Sequence, residues 1–499
     1  MTAFPYTDKD TLPDGKLTLS DSTSYLPSNS PLSPTRSPRS LTRRIFNVLT
    51  PSFLSREPSP PEHQYPTAFL DGLRGYAAFF VFITHCVLPT HPNAYMGYGG
   101  NDGVNDGWFF QLPIIRLMHS GLACVHVFFV ISGFSISLKA LKQMRKSDHE
   151  GVFTTLFSST FRRTARLYLP CFALLFCVLI LTLSGAMDFV NAIAKDWPFG
   201  DQPEEFPPIK NGFFVQVGDL LYDIWQWADP LNPYSRISYM PYSLQLWTIP
   251  VELRCSFITF VCLLGVAKCR PSIRMLSLGA LSFYFYFRKH SDPPLFLGGA
   301  IIAELYLIQQ ENLPSKASLA DTPNAKWSRA SNIDSRGQKI KHGLLFVLGL
   351  FLTSYPRHGA NKAMFYSWLT QLGTYIAGPQ RKALLDLFTC AGALLLVYSV
   401  SRSPMLQRFF STPLAKYLGK TSFALYCVHQ PLINWFGYRN ILAMWQITGK
   451  ETTFQYELGF GIAFVIQLAV SVWAADLFWR AVDKPSVTFA KWLEKVCCS

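Results

Sequence analysis

Residues 68–85 read Ala68-Phe-Leu-Asp71-Gly-Leu-Arg74-Gly-Tyr-Ala-Ala-Phe-Phe-Val-Phe-Ile-Thr-His85. The run is apolar apart from a few positions, contains no proline, and with its flanks approaches the length of a membrane-spanning helix. Arg74 and His85 are eleven residues apart. That is close to three helical turns, which puts both side chains on one stripe, roughly 16 Å apart along the axis. A cation and an imidazole inside a membrane helix are costly, and so mark functional candidates. Asp71 stands three residues before Arg74, where the two can pair and lower the cost of both charges.

The rest of the 499-residue chain supports a membrane setting. Hydrophobic residues make up 49% of it and charged residues 15%, against about a quarter charged in a soluble domain. The pattern predicts an all-α, polytopic transmembrane helix bundle of about ten spanning helices. They are expected near 69–89, 118–138, 167–185, 249–268, 273–288, 294–310, 342–355, 384–402, 421–437 and 457–479. An eleventh apolar stretch, 364–378, is broken by Gly373 and Gly378 and reads as a loop or re-entrant segment. Residues 1–65 are rich in Ser and Pro and read as a disordered cytosolic tail, followed by a membrane domain over 66–490 and a short cytosolic tail over 491–499.

Loop charge gives an orientation. Lys139, Lys142, Arg145, Lys146, Arg162 and Arg163 follow the second helix. Lys316, Lys326, Arg329, Arg336, Lys339 and Lys341 follow the sixth, and Arg402, Arg408, Lys416 and Lys420 the eighth. The opposite side has the acidic loop 186–248, with Asp196, Asp201, Glu204, Glu205, Asp219 and Asp223. Positive-inside placement puts both termini in the cytosol, in an endomembrane such as the endoplasmic reticulum. The formal net charge of +14 belongs to these loops. No basic run interleaved with aromatics in a soluble domain suggests nucleic acid. The eleven cysteines lie mostly in apolar runs and suggest neither a disulfide framework nor a metal site.

Five segments carry the candidate chemistry. On the first helix, His85 is either a core histidine bonded to a neighbour or a base that takes a proton from a hydroxyl. His126-Val-Phe-Phe-Val-Ile-Ser132-Gly133-Phe134 lies on the second helix, where small residues permit close helix approach. Arg162-Arg163-Thr-Ala-Arg166 stands at the cytosolic entrance of the third. If that turn is helical, Arg163 and Arg166 share a side, and guanidinium forks suit phosphates. Leu246-Trp247-Thr-Ile-Pro250-Val-Glu252-Leu-Arg254 opens the fourth on the acidic side, and the Glu252 carboxylate is a base, a hydroxyl acceptor, a partner to Arg254 or a helix-start charge. Leu418-Gly419-Lys-Thr-Ser422-Phe-Ala-Leu-Tyr426-Cys-Val-His429-Gln-Pro431 opens the ninth, with His429 inside the span.

In this order the segments resemble the acyltransferase type 3 family of integral-membrane acyltransferases over roughly residues 66–490. Arg74 and His85 match the family's Arg-x10-His, and Arg163 and Arg166 its Arg-x-x-Arg. His126–Phe134, Leu246–Glu252 and Gly419–Pro431 are similar to its SGF, tryptophan and LYxxHxP motifs, and Val482-Asp483-Lys-Pro485 to its closing acidic-x-Pro element. Thr248 and Pro250 replace serines common in bacterial members, and His126 stands where they often carry an acid. The pattern is nearer to fungal-like tailoring members.

The resemblance implies an O-acyltransferase that moves an acyl group, most simply acetyl, from acyl-CoA to a hydroxyl of a small or amphipathic acceptor, in secondary-metabolite tailoring. It implies that His85 is the base or an acyl carrier, that Arg74 stabilises charge, and that Glu252 orients acceptor or base. Arg163 and Arg166 are expected to hold CoA phosphates, and His126, Trp247 and His429 to contact substrate. CoA would be a co-substrate, with no bound cofactor and no metal; the expected partners are acyl-CoA, the acceptor and the lipid bilayer. The rival class is a secondary transporter of a lipid or metabolite, which intramembrane Arg, His and Glu also suit. Against it, the two halves show no hydropathy repeat.

Overall fold

The computed structural model describes residues 49–52, 66–200, 206–231, 240–312 and 336–498. It divides into two units, residues 1–50 and 51–499. Only residues 49 and 50 of the first are described, and all that follows concerns the second. Apart from residues 49–52, the Ser/Pro-rich tail lies outside the described residues, as do the loop charges Asp201, Glu204, Glu205, Lys316, Lys326 and Arg329.

Among the described residues the chain is helical, without a strand. Helices form at all ten expected places: α1 Ala68–Val87, α2 Gly121–Arg145, α3 His149–Leu183, α6 Thr248–Gly265, α7 Pro271–Phe287, α8 Asp292–Glu311, α9 Arg336–Thr353, α11 Arg381–Arg402, α13 Pro413–Leu432 and α15 Thr453–Phe478. Between them lie α4 Asp188–Ile193, α5 Phe213–Trp227, α10 Ser367–Ala377, α12 Pro404–Phe409 and α14 Tyr438–Thr448, and α16 Lys484–Cys497 follows them all. Only five helical stretches of the described residues are long and apolar enough to cross a membrane: Gly121–Arg145, His149–Leu183, Leu244–Gly265, Arg381–Arg402 and Thr453–Cys497. The expected ten is therefore not reached. The shortfall has physical causes: α1 carries Asp71 and Arg74, α13 carries Lys416 and Lys420, α9 opens on basic residues, and α7 is 17 residues long.

Two elements depart from expectation in a way that matters for the site. Helix α3 starts eighteen residues before the expected 167, because Asp148 caps its first turn by accepting from the Gly151 amide and nothing after it breaks the helix. Arg163 and Arg166 thus sit on one continuous helix. The stretch 364–378 contains helix α10. Gly373 is inside it, with the Phe388 ring of α11 where a side chain would stand, and Gly378, at φ +85°, ends it in a conformation that glycine adopts readily.

Helices α1 and α13 lie side by side in the same direction. Contact needs glycine on both: a Cβ on Gly75 would land on the Gly419 backbone nitrogen, and one on Gly419 on the Asp71 carbonyl. This register sets Arg74 beside Ser422 at one level and His85 beside His429 further on, eleven residues along α1 and seven along α13.

The two ends of the bundle differ. At one, Arg145 closes α2 and pairs with Glu304 at 2.7 Å and with Glu311, both on α8, while Arg274 of α7 reaches Glu304 at 2.8 Å and Arg402 of α11 donates to the Leu305 carbonyl. This is the basic end. At the other, a cap of irregular chain is tied by buried Arg116, which donates to the Ser354 carbonyl at 2.6 Å and to those of Ala94 and Tyr95.

Candidate active site

A cavity of about 420 Å³ enters the bundle from the basic end. Its length is legible on α2, where Lys139, Ser135, Ser132, Phe128 and Val125 line it in succession, a span of roughly 21 Å at about 1.5 Å per residue. The outer part carries Lys139, Arg162, Lys420 and Lys491, and the inner part Val125, Phe128, Thr248 and Tyr426. In between stand Arg74, Arg163, Arg166 and Glu252. In all, seven cationic side chains face two carboxylates, Glu252 and Asp483.

The helices fix each group. On α1, Arg74 pairs with Asp71 at 3.0 Å, as the i, i+3 spacing predicted, and donates to the Ser422 hydroxyl at 3.0 Å and the Gly419 carbonyl at 3.2 Å. Arg163 donates to Glu252 at 2.7 Å and to the Ser256 hydroxyl at 3.0 Å, and Ser132 donates to the same Glu252 oxygen at 3.0 Å. The pair is mostly withdrawn from water, with side-chain exposures of 11% for Arg163 and 20% for Glu252. The expectation had set Glu252 on the acidic side and Arg163 at the opposite entrance, yet they touch. Helix α3 runs about 21 Å before reaching Arg163, and the chain ahead of α6 returns into the bundle. There Trp227 donates to the Leu246 carbonyl at 3.0 Å and Gln245 to the Cys427 carbonyl at 2.8 Å.

Arg166 differs from its neighbours. Its charged surroundings are Arg163, Arg74, Asp483 and Glu252, and among the described residues its own donors bond to none of them. Its fork is therefore available to a ligand anion in the cavity.

The histidines lie apart from this cavity. The His85 and His429 rings have centroids 5.2 Å apart. His429 is fully buried, and its Nδ1 lies 3.0 Å from the Leu425 carbonyl. If that nitrogen carries the proton, Nε2 keeps the lone pair; Nε2 has no hydrogen-bond partner among the described residues. On its other side His85 lines a much smaller pocket with Gln467, Tyr438 and the π-turn Ile433–Gly437. His126 is buried, bonds the Thr389 hydroxyl at 2.9 Å, and does not line the cavity. Trp247 ends the 3₁₀ turn Leu244–Trp247 and packs against the core, also off the cavity. The structure thus brings together Arg74, Arg163, Arg166 and Glu252, pairs His85 with His429 beyond them, and leaves His126 and Trp247 outside.

Several groups join the site that residue-by-residue reading did not select. Ser132, Ser422, Tyr426 and Asp483 sit within the motifs quoted above and were legible there as small or polar positions. Lys491 carried no signal. It reaches the cavity because α16 packs along α3, where Arg162 meets Glu494 at 3.0 Å. Among the described residues no three His, Cys, Asp or Glu side chains gather as a metal-ligand set.

The family model described as "Acyltransferase domain" matches residues 67–480. The chain is 29% identical to the O-acetyltransferase PaAT-1 of Phomopsis amygdali, over 89% of this chain and 88% of that one. It is 28% identical to acyltransferase R4 of a Phoma species, over 86% and 95%, and 27% identical to acyltransferase clz18 of Cochliobolus lunatus, over 85% and 95%. Putative O-acetyltransferases of Staphylococcus aureus are 24% identical, and the match covers 56% of their length. No solved structure matches the chain.

Proposed function

Because the chain belongs to the acyltransferase type 3 family and is an acyltransferase, we propose that it moves an acetyl group from acetyl-CoA onto a hydroxyl of a small or amphipathic acceptor. The observation that carries this reading is the convergence of Arg74, Arg163 and Arg166 on one cavity that opens at the basic end. CoA is an anion with a long, flexible arm. Its phosphates suit the cationic outer part, with Arg166 as the main fork, and its thioester arm suits the narrower interior. The name O-acetyltransferase carried by the Phomopsis relative favours acetyl as the group transferred, and the fungal relatives favour a tailoring step in secondary metabolism.

In the proposed reaction His85 takes the proton of the acceptor hydroxyl, and the oxygen attacks the thioester carbonyl. The C–S bond breaks, and the CoA thiolate leaves and takes up that proton. His429 beside it holds the ring environment, and Glu252 keeps Arg163 in place. The basic end faces the cytosol, where CoA is supplied, which puts both termini there in an endomembrane such as the endoplasmic reticulum.

The test supplies purified protein with acetyl-CoA and fractionated metabolite extract and measures free CoA together with products heavier by one acetyl group. The reading expects both to rise in the same fractions. CoA release with no acetylated product in any fraction, or neither signal with a protein that binds CoA, contradicts it.

A further inference from the structure

The histidine pair does not line the donor cavity, and Tyr426 lies next to both. Tyr426 lines the inner end of the cavity, and its ring centroid is 5.9 Å from that of His429. The ring is fixed from several sides. Its hydroxyl donates to the Gln245 carbonyl and shares a 2.7 Å hydrogen bond with Thr248, and Phe128 packs edge-on at 6.2 Å. Gln245 is itself tied back to α13 through the Cys427 carbonyl. A phenol held by two polar partners and an aromatic edge keeps one position until something competes for those contacts.

We propose that Tyr426 is a positioning residue that partitions the thioester from the His85–His429 pair, so that acyl-CoA is shielded from histidine-assisted attack by water until the acceptor displaces the ring. The inference rests on the acyl-CoA reading given above. Its chemical sense is the usual one for activated acyl groups: a base that can deprotonate a hydroxyl can deprotonate water, so a site that keeps the two apart avoids wasting its donor. With the ring removed, water's oxygen attacks the carbonyl and His85 takes its proton. The C–S bond then breaks, the thiolate recovers the proton from His85, and CoA and acetic acid leave, the acid giving its remaining proton to solvent as acetate.

The experiment follows acetyl-CoA hydrolysis without acceptor in wild type, Tyr426→Phe, Tyr426→Ala and Tyr426→Ala/His85→Ala, with binding of free CoA measured on each. Tyr426→Ala is expected to raise hydrolysis at least tenfold with CoA affinity unchanged. Tyr426→Phe, which keeps the ring but loses both hydroxyl bonds, is expected to raise it by less. The double variant should return to the wild-type rate, a result that mere loosening of the bundle does not produce. Wild-type hydrolysis in a Tyr426→Ala protein that binds CoA overturns the partition, and so does a raised rate that survives loss of His85. If Tyr426→Ala binds no CoA because it fails to fold, Tyr426→Phe decides: an unchanged rate overturns the proposal. Wild-type protein that binds no CoA at all contradicts the acyl-CoA reading instead.

Discussion

At the scale of residues, the site is a set of charges whose partners determine what each is free to do. Arg163 is committed to Glu252 and Ser256, and Arg74 to Asp71, Ser422 and Gly419. Removing one member of a largely desolvated pair leaves the other charge uncompensated. Glu252→Ala and Arg163→Ala are therefore each expected to cost about 2–3 kcal/mol of stability, and the double variant less than the sum by about 1 kcal/mol or more. Denaturant or thermal melts of the four proteins in one detergent check this. Strict additivity would mean that the 2.7 Å contact carries no coupling. Much of this chemistry was legible in the sequence. The Asp71–Arg74 pairing followed from spacing, and Arg163 with Arg166 from a shared helical side. The Arg163–Glu252 pair was not legible, because it depends on how far α3 extends toward its start and on the return of residues 240–247 into the bundle. His126 shows the converse: a histidine in a motif whose bond is to Thr389, away from the cavity.

At the scale of elements, placement of the helices was readable and their exact lengths were not. Apolar runs located every long helix. Helix α3 outran its apolar core because the Asp148 cap starts it early and no proline stands between that cap and Arg166, so it runs through basic sequence. Helix α16 was invisible to hydropathy, since its residues are mixed, yet it supplies Lys491 to the cavity. The contact that sets the levels of Arg74 and His85 is α1 on α13, where Gly75 and Gly419 let two backbones meet. Gly75→Ala is expected to destabilise the protein by about 1–3 kcal/mol, as overpacking does, and to push apart the pairing of Arg74 with Ser422. A melt and a CoA-binding measurement on Gly75→Ala test it. Unchanged stability would mean that the helices separate at no cost. Gly218, where an added Cβ meets nothing within 4 Å, is the control for the loss of glycine itself.

At the scale of the molecule, the proposed reaction assigns two tasks to two levels of the bundle. Cations that suit a phosphorylated donor gather toward the basic end, and the histidine pair lies about three helical turns further on, next to Tyr426. The central claim is this division: Arg166 serves donor binding and His85 serves transfer. The most direct measurement is CoA affinity and acetyl transfer on three purified proteins: wild type, Arg166→Ala and His85→Ala. Loss of a charge-assisted contact of about 1.5–3 kcal/mol corresponds to about a ten- to a hundredfold weaker CoA affinity for Arg166→Ala. His85→Ala should bind CoA as wild type does while losing transfer by about 10²- to 10⁴-fold, the range for removal of a general base. An Arg166→Ala protein with unchanged CoA affinity, or a His85→Ala protein that still transfers acetyl at the wild-type rate, contradicts the account.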